Sequence, residues 1–499
     1  MISPDDKNSL IETAGLLIHE LVVREPMMYI QPYFHNYVVE QVTGLVGKQL
    51  DEVFFGAFIC TSVSSTSASS ICDELDHIID RSMNLFYKYI APKRSYLTSF
   101  IRVKPNIEKM KLKIQYLKDI PQPVQRTPEW YDFRAKCLTA SNIWKAFVSE
   151  STRNQLIYEK CQPINPDKFN HVSTESPMHW GNKYEPLSIL IYERKYKTLI
   201  SDFGCIPHHS IHFLAASPDG INTLETSDRF GRMIEVKNIV NRDIDGNPKM
   251  EYWIQMQVQM EVCNLNECDF LETRFQEYDS LYEFESDSFG ECSYSHTNHG
   301  KKKGVIIMYY TREQTPHYEY APLGLSKHAF ERWEEENLEA HAHMTWFKNI
   351  YWKLDEMSCV LVLRNKLWFN HALPVLEDVW ATIVEEKKNN SFTHRAPNKK
   401  NKVIKPTIEV NKCYINIQEM MGDDVRNVKV DDVHNVKVDD VRNVKSDGAV
   451  DSAVAGAKII TINTEIAGPV KLDTNTKKIT IPTPTLFNYF KKVEKQFID

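Results

Sequence analysis

Apolar residues in the first 120 positions recur three and four apart, as in IETAGLLIHELVV and CDELDHIIDRSMNLFYKYI, which predicts amphipathic helices. The Ser/Thr run at 62–70 reads as a loop between two of them. Nothing in 1–120 has catalytic spacing, so this stretch is expected to be a helical accessory domain. From 121 to 387 helical patterns alternate with short runs rich in β-branched and aromatic residues. The strand candidates are SDFGCIPHH, IHFLAASPDG, MIEVKNIV, CDFLETRF and GVIIMYYT. That alternation predicts an α/β domain. An acidic insert at roughly 277–300, closing on Lys301-Lys302-Lys303, reads as a long hairpin loop with a solvated charge run. Residues 326–387, including FERWEEENLEAHAHMTWFKNIYWKL, read as helical. The Trp and Tyr stripe at 333–352 then serves as core rather than as a surface for stacking bases.

After residue 388 the pattern is lost. NNSFTHRAPNKKNKVIKP is polar and basic, and DDVRNVKV, DDVHNVKV and DDVRNVKS repeat an eight-residue unit from Asp423 to Ser446. So little apolar surface does not offset chain entropy, which makes 388–482 an expected disordered linker. Residues 483–499, TPTLFNYFKKVEKQFID, regain aromatic content.

Bulk composition narrows the classes without choosing one. Hydrophobic content of 42% and charged content of 25% across 499 residues are those of a globular protein. A net charge of -7 leaves any nucleic-acid contact to a local basic surface. Ten cysteines lack a Cys-x-x-Cys pair, and the start MISPDDKNSL lacks a basic-then-apolar signal, so a reducing, intracellular setting is expected. No apolar run reaches the ~20 residues of a membrane span, and no membrane partner is expected.

The chemistry concentrates in Ser217-Pro218-Asp219-Gly220 and Glu235-Val236-Lys237. Residues two apart on a strand share a face, so Glu235 and Lys237 can meet in one site while Val236 packs behind. Phosphodiester hydrolysis needs charge neutralised on phosphoryl oxygens and an activated water, both of which one or two magnesium ions supply. Asp219, Glu235 and the Val236 carbonyl are a hard oxygen set suited to that ion, and Lys237 can orient the water. A bare Asp…Glu-x-Lys is common by chance, and a surface turn before an unrelated strand explains it equally well. Its neighbours matter more. Gly181-x-x-x-Glu185 lies where a helix is expected to begin, placing Glu185 as a further ligand, a base, or a solvated acid at a helix start. Gln255 and Gln259 in Tyr252-x-x-Gln255-x-Gln257-x-Gln259 share a helical face suited to a phosphate, or form an ordinary polar face. Trp130-x-x-x-Arg134 leads to Leu138-Thr139-Ala140-Ser141-Asn142, where Ser141 can cap a helix and, with Arg134, hold a phosphate.

The order Trp-x-x-x-Arg…Thr-x-Ser, Gly-x-x-x-Glu, Ser-Pro-Asp-Gly, Glu-Val-Lys, Tyr-x-x-Gln-x-Gln resembles the lambda exonuclease and YqaJ-like viral recombinase family of PD-(D/E)xK nucleases. The text QMQVQMEVCNLNECDFLETRF resembles members from large DNA viruses. The likeness covers about 121–370. It implies a restriction-endonuclease-like core, a mixed sheet flanked by helices with the acids at one sheet edge. It further implies a magnesium-dependent (alternatively manganese-dependent) 5′-to-3′ exonuclease acting on double-stranded DNA ends in viral recombination or repair, in the cytoplasm of an infected host cell. Carried over, Asp219, Glu235, Val236 and Glu185 bind metal, Lys237 is the catalytic lysine, and Gln255 contacts phosphate or nucleophile. Arg134, Thr139, Ser141 and Ser217, with Gln257, take the DNA and its terminal 5′ phosphate. An RNA-degrading enzyme of the same fold and an inactive DNA-end-binding scaffold are the alternatives.

Two further features complete the reading. Cys205, His208, His209 and His212 cluster like zinc ligands, but without a second pair they are taken as strand residues. In the tail, Leu486, Tyr489 and Phe490 resemble the peptide by which replication proteins dock on sliding clamps, although Thr483 stands where glutamine is usual. Docking there, on a clamp or on a single-strand annealing protein, competes with simple packing against the nuclease domain.

Overall fold

The computed structural model describes residues 3–54, 66–97, 106–125, 127–163, 176–288 and 294–397, together with two short antiparallel strands at 472–473 and 478–479. The octapeptide repeats and Leu486, Tyr489 and Phe490 lie outside the described residues.

The N-terminal region is helical: α1 (Pro4–Arg24), α2 (Phe34–Phe54), α3 (Thr66–Tyr89) and α4 (Ile107–Asp119). Ser3 caps α1 by accepting from Asp6 N, with Pro4 pre-set at the first position. Apolar spacing places the buried stripe: Leu10, Ala14, Ile18 and Val22 on α1 meet Phe34, Val38, Val42 and Val46 on α2. Helix α3 starts at Thr66, so the second half of the Ser/Thr run expected as loop is helical. That helix carries Leu75, Ile78, Ile79, Met83 and Phe86 into the shared core, and such tertiary burial outweighs weak local propensity.

Next come α5 (Pro128–Ala135), β1 (Leu138–Thr139), α6 (Glu150–Cys161), α7 (Pro177–Tyr196), β2 (Ile200–Ser201), β3 (Ile206–Pro207), β4 (Leu214–Ala216), β5 (Gly220–Asn222) and β6 (Met233–Asn238). They are followed by α8 (Met250–Val262), β7 (Glu267–Glu277), α9 (Leu281–Ser286), β8 (Lys303–Tyr310), β9 (Pro316–Tyr320), α10 (Lys327–Ala340), β10 (Thr345–Leu363) and α11 (Lys366–Asn389). The main sheet has the order β2-β5-β6-β7-β10-β8-β9, with β6 and β7 parallel and the other pairs antiparallel. A small sheet, β1-β4-β3, stands beside it. This is the expected mixed sheet flanked by helices, and no described helix is long and apolar enough to cross a membrane.

Three local expectations are corrected. Residues 345–363 form β10 rather than helix, because Ile, Tyr, Trp, Val and Leu there pair with both β7 and β8 across two bulges. Within the aromatic stripe Trp352 is buried, whereas Trp346 and Phe347 are exposed. The acidic insert is not a simple solvated loop. It contains α9, and Lys303 is buried with its Nζ donating to Phe284 O, Asp287 O (2.7 Å) and Ser288 Oγ (2.7 Å). Helix α7 begins at Pro177, capped by Ser176, one turn before Gly181.

Arg94 locks the N-terminal helices to the α/β layer. Its guanidinium donates to Tyr29 O (2.8 Å) and Pro248 O (2.7 Å), and lies 5.1 Å from the Trp253 ring on α8. Burial pulls its pKa down to about 9. The helical region therefore fixes α8, the helix that covers Glu235 on β6.

Candidate active site

Strand β6 presents alternate residues to opposite faces. Val236 packs with Tyr192, Ile234 and Leu271 on one side, while Glu235 and Lys237 face α8. Glu235 is fully buried; its Oε1 accepts from Lys237 Nζ and its Oε2 from Gln259 Nε2 at 2.8 Å. Gln259 Nε2 also reaches Ser217 O at 3.3 Å, tying α8 to the Ser-Pro-Asp-Gly turn. The Lys237 ammonium lies 5.1 Å from the Tyr252 ring, a cation–π contact that steadies it.

The turn places Asp219 through an interrupted ladder. Strands β5 and β6 are in register at Gly220↔Ile234, so the next position opposite Val236 falls to Pro218. Proline has no N–H to give. Val236 N instead donates to Asp219 Oδ2 at 2.7 Å, and the Val236 carbonyl, on the same strand edge, is left facing the gap. Gly220 is required here by space: a Cβ would stand 2.1 Å from Ile200 Cγ2 on β2. Helix α7 is moored to the same strand by Asn238, which accepts from Ser188 Oγ and Thr273 Oγ1 (both 2.7 Å) and donates to Gly181 O (3.0 Å). That mooring brings Glu185 within electrostatic reach of Asp219.

Asp219 and Glu235 thus share one site with one ammonium group, and Glu185 acts on Asp219 electrostatically. The Asp219 carboxyl is held well above the usual range by burial and then by Glu235 and Glu185, with Lys237 and the Val236 N–H opposing. Burial disfavours the Lys237 ammonium, but Glu235 and Asp219 outweigh it and raise its pKa above the usual lysine value. Excess negative charge on hard oxygens is what a divalent cation neutralises. Buried Gln259 Oε1, on the side chain that holds Glu235, has no hydrogen-bond partner and adds polar capacity to the site. Asp219, Glu235 and the Val236 carbonyl, with Glu185 nearby, are the hard oxygen donors that could hold a divalent cation here.

Next to this centre Arg134 Nη2 donates to Ser141 Oγ (3.0 Å), and its guanidinium stacks 4.3 Å from the Trp130 ring. Thr139 Oγ1 lies 3.5 Å from Ser141 Oγ, and the pairing Thr139↔Ala215 sets both beside Ser217. Lys160 donates to Arg134 O at 2.6 Å, and burial lowers its pKa to about 8. Sequence spacing gave no hint of Lys160, since α6 joins the pocket only through tertiary packing.

The structure brings Asp219, Glu235 and Lys237 together, with Glu185 in electrostatic reach of Asp219, and separately Arg134, Thr139, Ser141 and Ser217. Gln255 is half-buried on the α8 face shared with Gln259. Two expectations need correction. Gln257 points away from the site and is buried; its Nε2 donates to Leu363 O (2.9 Å) and its Oε1 accepts from Asn365 N (2.6 Å). Residues two apart on a helix differ by about 200°, so Gln257 cannot join Gln255 and Gln259. Ser141 does not cap the 3-10 helix Ile143–Phe147, whose N-cap is Asn142; its hydroxyl takes Arg134 instead. Gln259, the residue in contact with Glu235, was signalled only by sharing the Gln255 face. Cys205 is buried near Arg134, and His208 Nδ1 accepts from Ser210 N (3.2 Å) and Ile211 N (3.0 Å) within its own turn.

Comparison with known proteins gives three results. The model of the YqaJ-like viral recombinase domain matches residues 129–266. An uncharacterised protein of Acanthamoeba polyphaga mimivirus is 27% identical over 330 residues, covering 59% of this chain and 57% of the relative. The match thus spans little more than half of that relative's length. An alkaline exonuclease from Laribacter hongkongensis, solved alone and in complex with dAMP, aligns at 17% identity over 53% of this chain and 96% of that chain, with a TM-score of 0.30. The segment matched by the family model contains Arg134, Glu185, Asp219, Glu235, Lys237 and Gln259, the residues that build the two adjoining pockets. Over residues 129–266 this chain is similar to the YqaJ-like viral recombinase domain.

Proposed function

We propose that the protein is a metal-dependent deoxyribonuclease that degrades one strand of duplex DNA from its 5′ ends, with magnesium as the ion and manganese as its substitute. The observation that carries this reading is the convergence of Asp219, Glu235 and Lys237 where β5 stops short, with Glu185 in electrostatic reach, joined through Ser217 to the Arg134–Ser141 pocket. The match to a viral recombinase domain and a mimivirus relative support a role in viral DNA recombination or repair within an infected cell.

In this reading Arg134 and the hydroxyls of Thr139, Ser141 and Ser217 hold a terminal 5′ phosphate, with Lys160 adding positive charge behind them. Anchoring that phosphate sets the first diester beside the acids, and polarity follows from the order of the two pockets. When bound, the cation neutralises the phosphoryl oxygens and lowers the pKa of a coordinated water. Lys237 holds the attacking water by hydrogen bonding and offsets charge as it grows on the diester. Gln259 fixes the Glu235 carboxylate so that it meets substrate in one orientation. Gln255 stands where it can donate to the scissile phosphate.

Duplex DNA labelled at either the 5′ or the 3′ end, and a labelled RNA, offered with magnesium test this directly. Early release of the 5′ label from duplex DNA is expected. Preferential RNA cleavage transfers the reading to a ribonuclease, and DNA-end binding without cleavage transfers it to a scaffold.

A further inference from the structure

A second cluster lies on the far edge of the main sheet, four strand positions from β6, or roughly 19 Å at the usual interstrand spacing. His317 and Glu319 stand two apart on edge strand β9, so they share a face, and His341 follows directly on α10. His317 Nε2 is 2.8 Å from Glu319 Oε1, and His341 Nε2 is 3.3 Å from the same oxygen. All three ligand atoms fall within 4.8 Å of one another, and among the described residues this is the one such group of three.

The histidine chemistry makes this more than a surface ion pair. His341 Nδ1 lies 2.9 Å from the Asn337 carbonyl, an acceptor, so Nδ1 carries the proton. A neutral ring then presents the Nε2 lone pair to a carboxylate oxygen, a repulsive contact unless a cation or a second proton intervenes. The ring is held in this pose from outside. Tyr309 stacks on it with centroids 5.2 Å apart and donates its hydroxyl to Asn337 Oδ1 at 2.7 Å. An imidazole oriented through its distal nitrogen by a carbonyl is the usual support of a metal ligand. Two ligands each about 2.05 Å from a tetrahedral ion stand about 3.3 Å apart, which the His341–Glu319 pair matches at 3.3 Å, while the His317–Glu319 pair at 2.8 Å has to open by about 0.5 Å.

We infer that His317, Glu319 and His341 form a zinc-class transition-metal site, distinct in position and donor type from the oxygen-rich centre on β6. Two imidazoles and one carboxylate suit zinc and discriminate against magnesium. The three side chains are partly exposed, which permits loading from solution and leaves a fourth position for water. Bound zinc pins the C-terminal end of α10 to β9 and so covers the sheet edge, where unpaired backbone groups otherwise invite association.

The test uses full-length protein carrying Asp219→Ala, which removes a ligand of the other centre, stripped with chelator and titrated with Zn2+ by calorimetry in excess magnesium. Cobalt(II) absorption serves as a second readout. One ion per chain with a tetrahedral cobalt spectrum is expected, and His317→Ala and His341→Ala should each weaken binding at least about tenfold while far-ultraviolet circular dichroism stays unchanged. Because His317 lies on an exposed edge, its variant reports on binding even where His341→Ala perturbs α10. Absence of stoichiometric binding, or equal binding by the His317 variant, overturns the proposal and leaves a proton as the occupant.

Discussion

Replacing Asp219 by asparagine should move stability and activity in opposite directions. Its carboxyl is half-buried and feels Glu235 and Glu185, with Lys237 and the Val236 N–H as compensation. Two like charges act on it and one cation opposes them; at an effective dielectric of about 20, one uncompensated unit charge at about 6 Å is worth about 2–3 kcal/mol. Asparagine removes the remaining repulsion but makes a weaker hydrogen bond to Val236 N–H, a loss of roughly 1 kcal/mol. The balance is a gain of about 1–2 kcal/mol for the ion-free variant.

The pH dependence gives the sign. The folded pKa is raised above the unfolded one, so the group's contribution is fully present below the unfolded value, about 4, and is lost as pH rises through the folded value. The advantage of asparagine should therefore be absent near pH 4 and full at alkaline pH. Magnesium should stabilise wild type by about 2.7 kcal/mol at a hundredfold excess over Kd, and the variant far less. Urea unfolding followed by tryptophan fluorescence, in chelator or magnesium at two pH values, measures all of this, and cleavage should fall at least about a thousandfold. A variant no more stable than wild type at alkaline pH in chelator, or equal magnesium stabilisation of both, refutes the reasoning.

Other outcomes follow from single contacts. Lys237→Met should lower kcat roughly a hundredfold or more with DNA affinity kept, as measured by single-turnover cleavage beside binding without metal. Arg134→Ala should abolish the preference for 5′-phosphorylated over 5′-hydroxyl duplexes; an unchanged preference removes the pocket assignment. Gln257→Leu should destabilise by about 2–3 kcal/mol, because the Asn365 N–H and Leu363 carbonyl lose their partner, while the folded fraction cleaves normally. Reduced specific activity of that folded fraction would return Gln257 to the site.

Much of the site was legible in the residues because its parts are local. Asp219 sits in a Ser-Pro-Asp-Gly turn, and Glu235 with Lys237 obey strand alternation, so type and spacing alone bring them near one face. The choice of glutamine was less secure, since Gln257 and Gln259 differ only in angle about α8, and the partners that decide, Asn365 and Glu235, are distant in sequence. Lys160 and the Asn238 mooring of α7 had no local signature for the same reason. Strand β10 read as helix because its aromatic residues imitate a helical stripe, and only pairing with β7 and β8 resolves the ambiguity. The buried Lys303 shows the limit of charge-run reading: three successive lysines look solvated until one finds two carbonyls and a hydroxyl.

The most direct measurement is diffraction at the manganese absorption edge from crystals soaked in Mn2+. The account predicts an anomalous peak in contact with Asp219, Glu235 and the Val236 carbonyl, lost in Glu235→Ala. No peak at that position, or manganese bound solely at His317, Glu319 and His341, contradicts it.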